Sequence, residues 1–133
     1  MLSRLVLAVV LSLAFNGCTT REAPFEDIDK AAALFFERLK TAQYDVIYED
    51  SSQSFKAQKT EFEVIENLKQ ITALGRPESF TRVKMNFDKD GETRVALPVY
   101  AVLLEQAKAE ISLTFRDDGG EWKLLGFALM RKA

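Results

Sequence analysis

Histidine is absent from this chain, and cysteine occurs only once. Those two facts exclude disulfides within the chain, zinc sites of the Cys/His type and every histidine-based dyad or triad. Three prolines and six glycines in 133 residues exclude a collagen-like or Pro/Gly-rich chain. Neither sign of charge dominates: eighteen basic residues face twenty acidic ones, for a net charge of −2. A strong electrostatic case for binding nucleic acid is thereby excluded. Gly-rich phosphate loops, nucleophile elbows and paired metal-ligand spacings are missing too, so no cofactor and no metal is expected. What is present is 47% apolar and 29% charged, the make-up of one folded domain.

Residues 1–17 read as a signal peptide. Arg4 is the only charge before Arg21, and Leu5 to Phe15 is an apolar run broken only by Ser12. A membrane-spanning helix needs about 20 apolar residues, so this run is too short to span. Asn16 and Gly17 end it, and Cys18 follows at once. The stretch Leu13-Ala14-Phe15-Asn16-Gly17-Cys18 resembles the lipobox of bacterial lipoproteins, with Gly17 in the small position and Phe15 and Asn16 departing from the usual residues. The resemblance implies that Cys18 carries diacylglycerol and becomes the N-terminus after cleavage, the chain being anchored by its acyl groups, palmitate among them. The alternative is an ordinary cleaved leader with an incidental cysteine. Against it stands the position of the only cysteine, where a free thiol in an oxidising compartment would be a liability. Thr19, rather than aspartate, follows the cysteine, and in the enterobacterial sorting rule that implies the periplasmic face of the outer membrane. Residues 18–24 then form a short polar tether, and 25–133 a single domain.

Within that domain, Ile28, Ala32, Phe35, Phe36 and Leu39 recur at helical spacing and predict a helix over 25–42. A short second helix is expected at Tyr44–Tyr48. Ser54–Ala57 reads as a brief strand or a loop around a buried Phe55. Thr60-Glu61-Phe62-Glu63 has the capping-box pattern, and Val64, Ile65, Leu68 and Ile71 carry a third helix to Gly75, giving 60–74. The period then switches to two. Strands are expected at 79–87, 93–104, 108–116 and 121–130, with turns at Asp88–Gly91 and Asp117–Gly120. Strand 93–104 is apolar on both faces, and Pro98 predicts a bulge or bend there. The fold class is α+β: two to three N-terminal helices on a bent, four-stranded antiparallel sheet with a cone-like form.

The order of these segments, with Phe55-Lys56 after a polar turn and the ending Gly120-Glu121-Trp122-Lys123-Leu124-Leu125-Gly126-Phe127, resembles the nuclear transport factor two-like (cystatin-like) superfamily. It is similar in particular to small bacterial envelope lipoproteins of that fold. The resemblance covers roughly 27–130 and implies a conical pocket between helices and sheet, closed by Trp122 packed inward against the first helix. A fold of this kind hosts enzymes and plain binding modules alike, so function rests on a site.

Candidates for a site are few. Asp45, flanked by Tyr44 and Tyr48, is the best enclosed acid, with Tyr100 as its proton donor; the plainer reading is a surface aspartate beside core-packing tyrosines. Glu105 and Glu110 flank a hairpin with Lys108 and pair for a cation only if that turn is not simply solvated. Arg82, Lys84 and Arg94 form a basic strip if they share a face. The doubly apolar strand 93–104 needs a second cover, and Ala96, Tyr100 and Val102, or their opposite-parity neighbours, form the expected association surface for a homodimer or an envelope protein partner. A small apolar ligand pocket is the third option. The expected function is that of a membrane-anchored periplasmic binding or assembly module without catalytic activity. The alternative is a small lyase or isomerase using an enclosed carboxylate.

Overall fold

The computed structural model describes residues 24–131. The leader, Cys18 and the tether residues up to Ala23 lie outside the described residues. Helix α1 spans Pro24–Lys40. Its first turn carries Glu26 and Asp27 and its last Arg38 and Lys40, both favourable to the helix dipole. The stripe Ile28, Ala32, Phe35, Phe36 and Leu39 is buried as expected. The helix stops two residues before the expected end because Ala42 adopts a positive φ of 59°. The N–H of Gln43 then bonds the carbonyl of Arg38 and that of Ala42 the carbonyl of Leu39, a Schellman closure without glycine.

Helix α2 is Tyr44–Glu49. The next element corrects the expectation of a strand or loop: Gln53–Gln58 is a helix, α3, capped by Ser52, whose side chain accepts from the Ser54 N–H. Ser52 is buried and its own N–H bonds the Leu124 carbonyl, so the chain is pinned to a strand just where the cap is needed. Phe55 is buried, as its apolar character required. Helix α4, Glu61–Thr72, has the full capping box: the Glu63 N–H donates to Thr60 Oγ1 and the Thr60 N–H to Glu63 Oε1. The Thr60 backbone N–H first, and second the Thr60 hydroxyl, which also donates to Glu63 Oε1 at 3.1 Å, hold the Glu63 carboxyl below its usual value. Among the described residues there are thus four helices, and none is long and apolar enough to cross a membrane.

Strands β1 (Pro77–Asp90), β2 (Thr93–Leu104), β3 (Ala107–Asp118) and β4 (Glu121–Arg131) follow and pair antiparallel in the order β1-β2-β3-β4. The α+β class is as expected, with the sheet open. The bulges are not where Pro98 suggested. Across Pro98 the β2–β3 register is unchanged, Ala96 facing Phe115 and Val99 facing Ser112, and only the pairs at 97 and 98 drop out. A residue without an N–H weakens a ladder locally but need not shift it. The extra residues sit instead on the neighbouring strands, at Glu78 and Val83 in β1 and Leu125 in β4.

Register decides which face of β2 is inside. Ala96, Tyr100 and Val102, expected on an outer association surface, lie in the core, Tyr100 with 1% of its surface exposed. They face α1, and Tyr100 meets Phe36 edge-on at 5.6 Å between ring centroids. Phe80 completes the group, 4.7 Å from Phe36 and 5.8 Å from Tyr100. Each fully buried side chain of this size stabilises the fold by about 1.5–3 kcal/mol. The opposite face of β2 carries Leu97, Val99, Ala101 and Leu103; these are the opposite-parity neighbours, and Leu103 is 41% exposed. At the far end of the sheet, Arg116 Nη1 donates to Ser54 Oγ at 2.6 Å and to Asp90 Oδ2 at 3.1 Å, tying α3 to β1 and β3.

Candidate functional site

A concavity lies where α1 and α2 meet the β3–β4 hairpin. Its volume is about 250 Å³. Phe35, Ile47, Phe115 and Leu124 form its floor, with Ala31 and Leu34 on the α1 side and Trp122 on the sheet side. The floor residues are there for local reasons. Phe35 belongs to the buried stripe of α1, and Phe115 and Leu124 are cross-strand partners. The Leu125 bulge breaks the alternation of β4 just after that pair.

The rim is charged, and its charges are paired. Arg38 Nη1 stands 2.7 Å from Asp50 Oδ2, and Lys123 Nζ 3.1 Å from Glu121 Oε2. Behind Trp122, the Arg94 guanidinium lies 5.2 Å from the indole and bonds Asp117 Oδ2 at 2.8 Å. Trp122 is therefore both a packing residue and part of a surface. It is partly buried against the core, as the sequence led us to expect, but its remaining edge lines the cleft rather than being folded wholly inward. An apolar slot of this size between fixed ion pairs suits an apolar or aromatic group with a polar end. It offers no thiol or imidazole as nucleophile or base.

The expected acid–tyrosine pair is not assembled. Asp45 is exposed on α2, while Tyr100 is buried and its hydroxyl donates to Asp29 Oδ1 at 2.8 Å. Arg82 Nη1 approaches the other Asp29 oxygen at 3.3 Å. Burial, followed by the bond to Asp29, pushes the Tyr100 hydroxyl well above its ordinary value, so it stays protonated. Asp29 is not among the candidates that the sequence alone offers. The available signal was its spacing: Asp29 and Phe36 lie seven residues apart on one helix face, and Phe36 packs on Tyr100.

The other candidates are likewise redistributed. Glu105 forms a two-oxygen fork with Arg76 (3.1 and 3.2 Å) and also accepts from the Arg76 N–H at 2.7 Å. Those bonds, the side-chain one foremost, hold its carboxyl below the usual value and commit it to a structural role. Arg82, Lys84 and Arg94 do not form a strip. Arg82 and Arg94 are engaged by Asp29 and Asp117, and the Val83 bulge sets Lys84 beside Val99 on the other face. Among the described residues no group of three or more His, Cys, Asp and Glu side chains is placed to hold a metal ion. No protein-family model matches the chain, and no curated protein matches it.

Proposed function

We propose that this protein is a lipid-anchored module of the bacterial cell envelope that binds a partner or ligand without transforming it, and that it belongs with the nuclear transport factor two-like folds it resembles. The observation that carries the binding reading is the cleft beside Trp122. It is an apolar slot whose rim carboxylates, Asp50 and Glu121, each face a cation. The interior behind it is filled by the Phe36, Phe80 and Tyr100 rings. Among the described residues, the carboxylate bonded to this interior group is Asp29, which is engaged by Tyr100 and Arg82. Such an arrangement favours recognition over proton transfer, which needs an acid or base within reach of a bound reactant. The outer face of the sheet is a second place for contact, since Leu103 of β2 and Val83, the bulge residue of β1, stand exposed.

Two measurements test this reading. A photo-crosslinking residue in place of Leu34, on the wall of the cleft, is expected to capture one defined adduct in intact cells, with no adduct from Asp45. An empty cleft in that assay overturns the binding role. For the anchor, Cys18→Ser is expected to leave the chain uncleaved or release it to the soluble periplasmic fraction. A serine variant processed and membrane-bound like the wild type overturns the lipoprotein assignment.

A further inference from the structure

Phe25, in the first turn of α1, and Phe87, near the end of β1, are paired yet left wet. Phe25 and Phe87 stack with centroids 5.5 Å apart, and each keeps almost half its surface exposed, 45% and 46%. The Arg82 guanidinium sits 5.0 Å from the Phe25 ring and holds it in place. Among the described residues, Phe87, Asp88, Lys89 and Arg94 line a hollow that continues the patch. Phe25 belongs to the first turn of α1, and Phe87 is the β1 residue opposite Ala96.

The length of chain before Pro24 says what lies beside this patch. The argument rests on the proposed anchor at Cys18. Only Thr19 to Ala23 separate that residue from Pro24. Fully extended, this stretch spans about 20 Å, less than the roughly 30 Å width of a small domain. The end of the domain bearing Phe25 is therefore the end held against the bilayer. We infer that Phe25 and Phe87 form a bilayer-contact patch that seats the domain on a phospholipid surface with the start of α1 toward the membrane.

The charges around the patch fix the kind of contact. Arg82 is engaged by Asp29, Arg94 by Asp117 and Lys30 by Glu26. Asp27, Asp88 and Glu92 stand close in sequence to the two rings, and Lys89 is a single cation among them. A polybasic attraction to anionic lipid is thus not available. The contact is apolar, two rings entering the boundary between headgroups and acyl chains, where apolar faces of peripheral proteins settle. It is accordingly insensitive to salt.

The test uses the full chain, processed in its host and reconstituted in phosphatidylcholine vesicles with brominated acyl chains. Phe87→Trp in a Trp122→Phe background makes one reporter, and Phe62→Trp in the same background makes the control, Phe62 being 74% exposed on α4. The Trp at 87 is expected to lose most of its emission to the bromines at low and high salt alike, while the Trp at 62 keeps its own. As a second probe that disturbs no packed ring, Lys89→Cys carrying a nitroxide is expected to lose exposure to aqueous nickel on reconstitution. The mass of the purified protein reads the anchor separately. With acyl chains present on Cys18, equal quenching at 87 and 62, or a nitroxide as exposed as in solution, overturns the patch and leaves the anchor standing. A mass without acyl chains overturns the anchor and this inference with it.

Discussion

Replacing Gly75 by alanine probes the joint that sets the sheet under the helices. Gly75 follows α4 and holds φ at 110°, outside the regions open to a residue with a Cβ. A Cβ built there falls 2.6 Å from Glu105 Cβ and 2.7 Å from the Glu105 nitrogen. The second atom is backbone, so the β2–β3 turn itself must move. Two backbone bonds hold that turn, Glu105 N–H to the Arg76 carbonyl at 3.2 Å and Gln106 N–H to the Leu74 carbonyl at 3.0 Å. Backbone strain at such a φ costs about 1–3 kcal/mol, and each bond lost costs about 1 kcal/mol, so Gly75→Ala is expected to destabilise by about 3–5 kcal/mol. Gly91 is the internal reference. Its φ is also positive, 66°, but nothing lies within 4 Å of an added Cβ, so Gly91→Ala is expected to cost only about 1–2 kcal/mol. Urea denaturation of both variants beside the wild type reads the difference directly, provided the m-values agree. Equal midpoints for the two variants would refute the close approach at Glu105 and the docking of the hairpin on the α4–β1 joint.

Trp122→Ala is expected to lower stability by about 1–3 kcal/mol in thermal unfolding, short of the 3–5 kcal/mol of a fully buried aromatic, because part of the indole faces the cleft; a loss at the upper end of the larger range would place the ring wholly in the core. The Tyr100 hydroxyl is raised above its ordinary value of 10, chiefly by burial and then by Asp29. Its folded value exceeds its unfolded one, so its contribution is complete below pH 10 and lost as pH rises beyond that. Tyr100→Phe is therefore expected to flatten the alkaline limb of the stability profile, and an unchanged limb would contradict the buried bond. Leu103→Glu on the outer face of β2 is expected to abolish self-association in light scattering while leaving the melting temperature in place; a wild-type protein that is monomeric across micromolar concentrations removes the homodimer.

Much of this architecture is legible in the sequence because its causes are local. The Thr60–Glu63 capping box closes within one helical turn, and the buried stripe of α1 repeats every three or four residues. The Asp90-Gly91 and Asp118-Gly119 pairs make tight hairpin turns from local residues, although β1 and β3 run to Asp90 and Asp118, so the turns are the two residues 91–92 and 119–120 rather than the expected 88–91 and 117–120. Each of these signals depends on neighbours a few positions away, so composition and spacing place the elements, while their ends differ from expectation: α1 stops at Lys40 and β1 runs from Pro77 to Asp90. Ser54–Ala57 marks the edge of that reach. Its six-residue helix has one local signal, the N-cap Ser52, whose backbone N–H is also held by the Leu124 carbonyl seventy-two positions along the chain.

The inner and outer faces of β2 lay beyond what sequence by itself determined. Both faces are apolar, so alternation could not choose between Ala96, Tyr100 and Val102 on one side and Leu97, Val99, Ala101 and Leu103 on the other. Tertiary structure made the choice, because α1 had to bury Phe36 against an aromatic partner and Tyr100 needed a carboxylate within reach of its hydroxyl. The single-residue bulges at Val83 and Leu125 then fixed which side chains of the flanking strands share that face, and so put Trp122 at the cleft and Lys84 away from Arg82. Asp29 and Tyr100 are seventy-one residues apart, and a hydrogen bond of 2.8 Å between them is set only when helix and sheet pack. Pairings of that range depend on register and docking angle, which hydrophobic burial selects across the whole domain and which no local run of residues encodes.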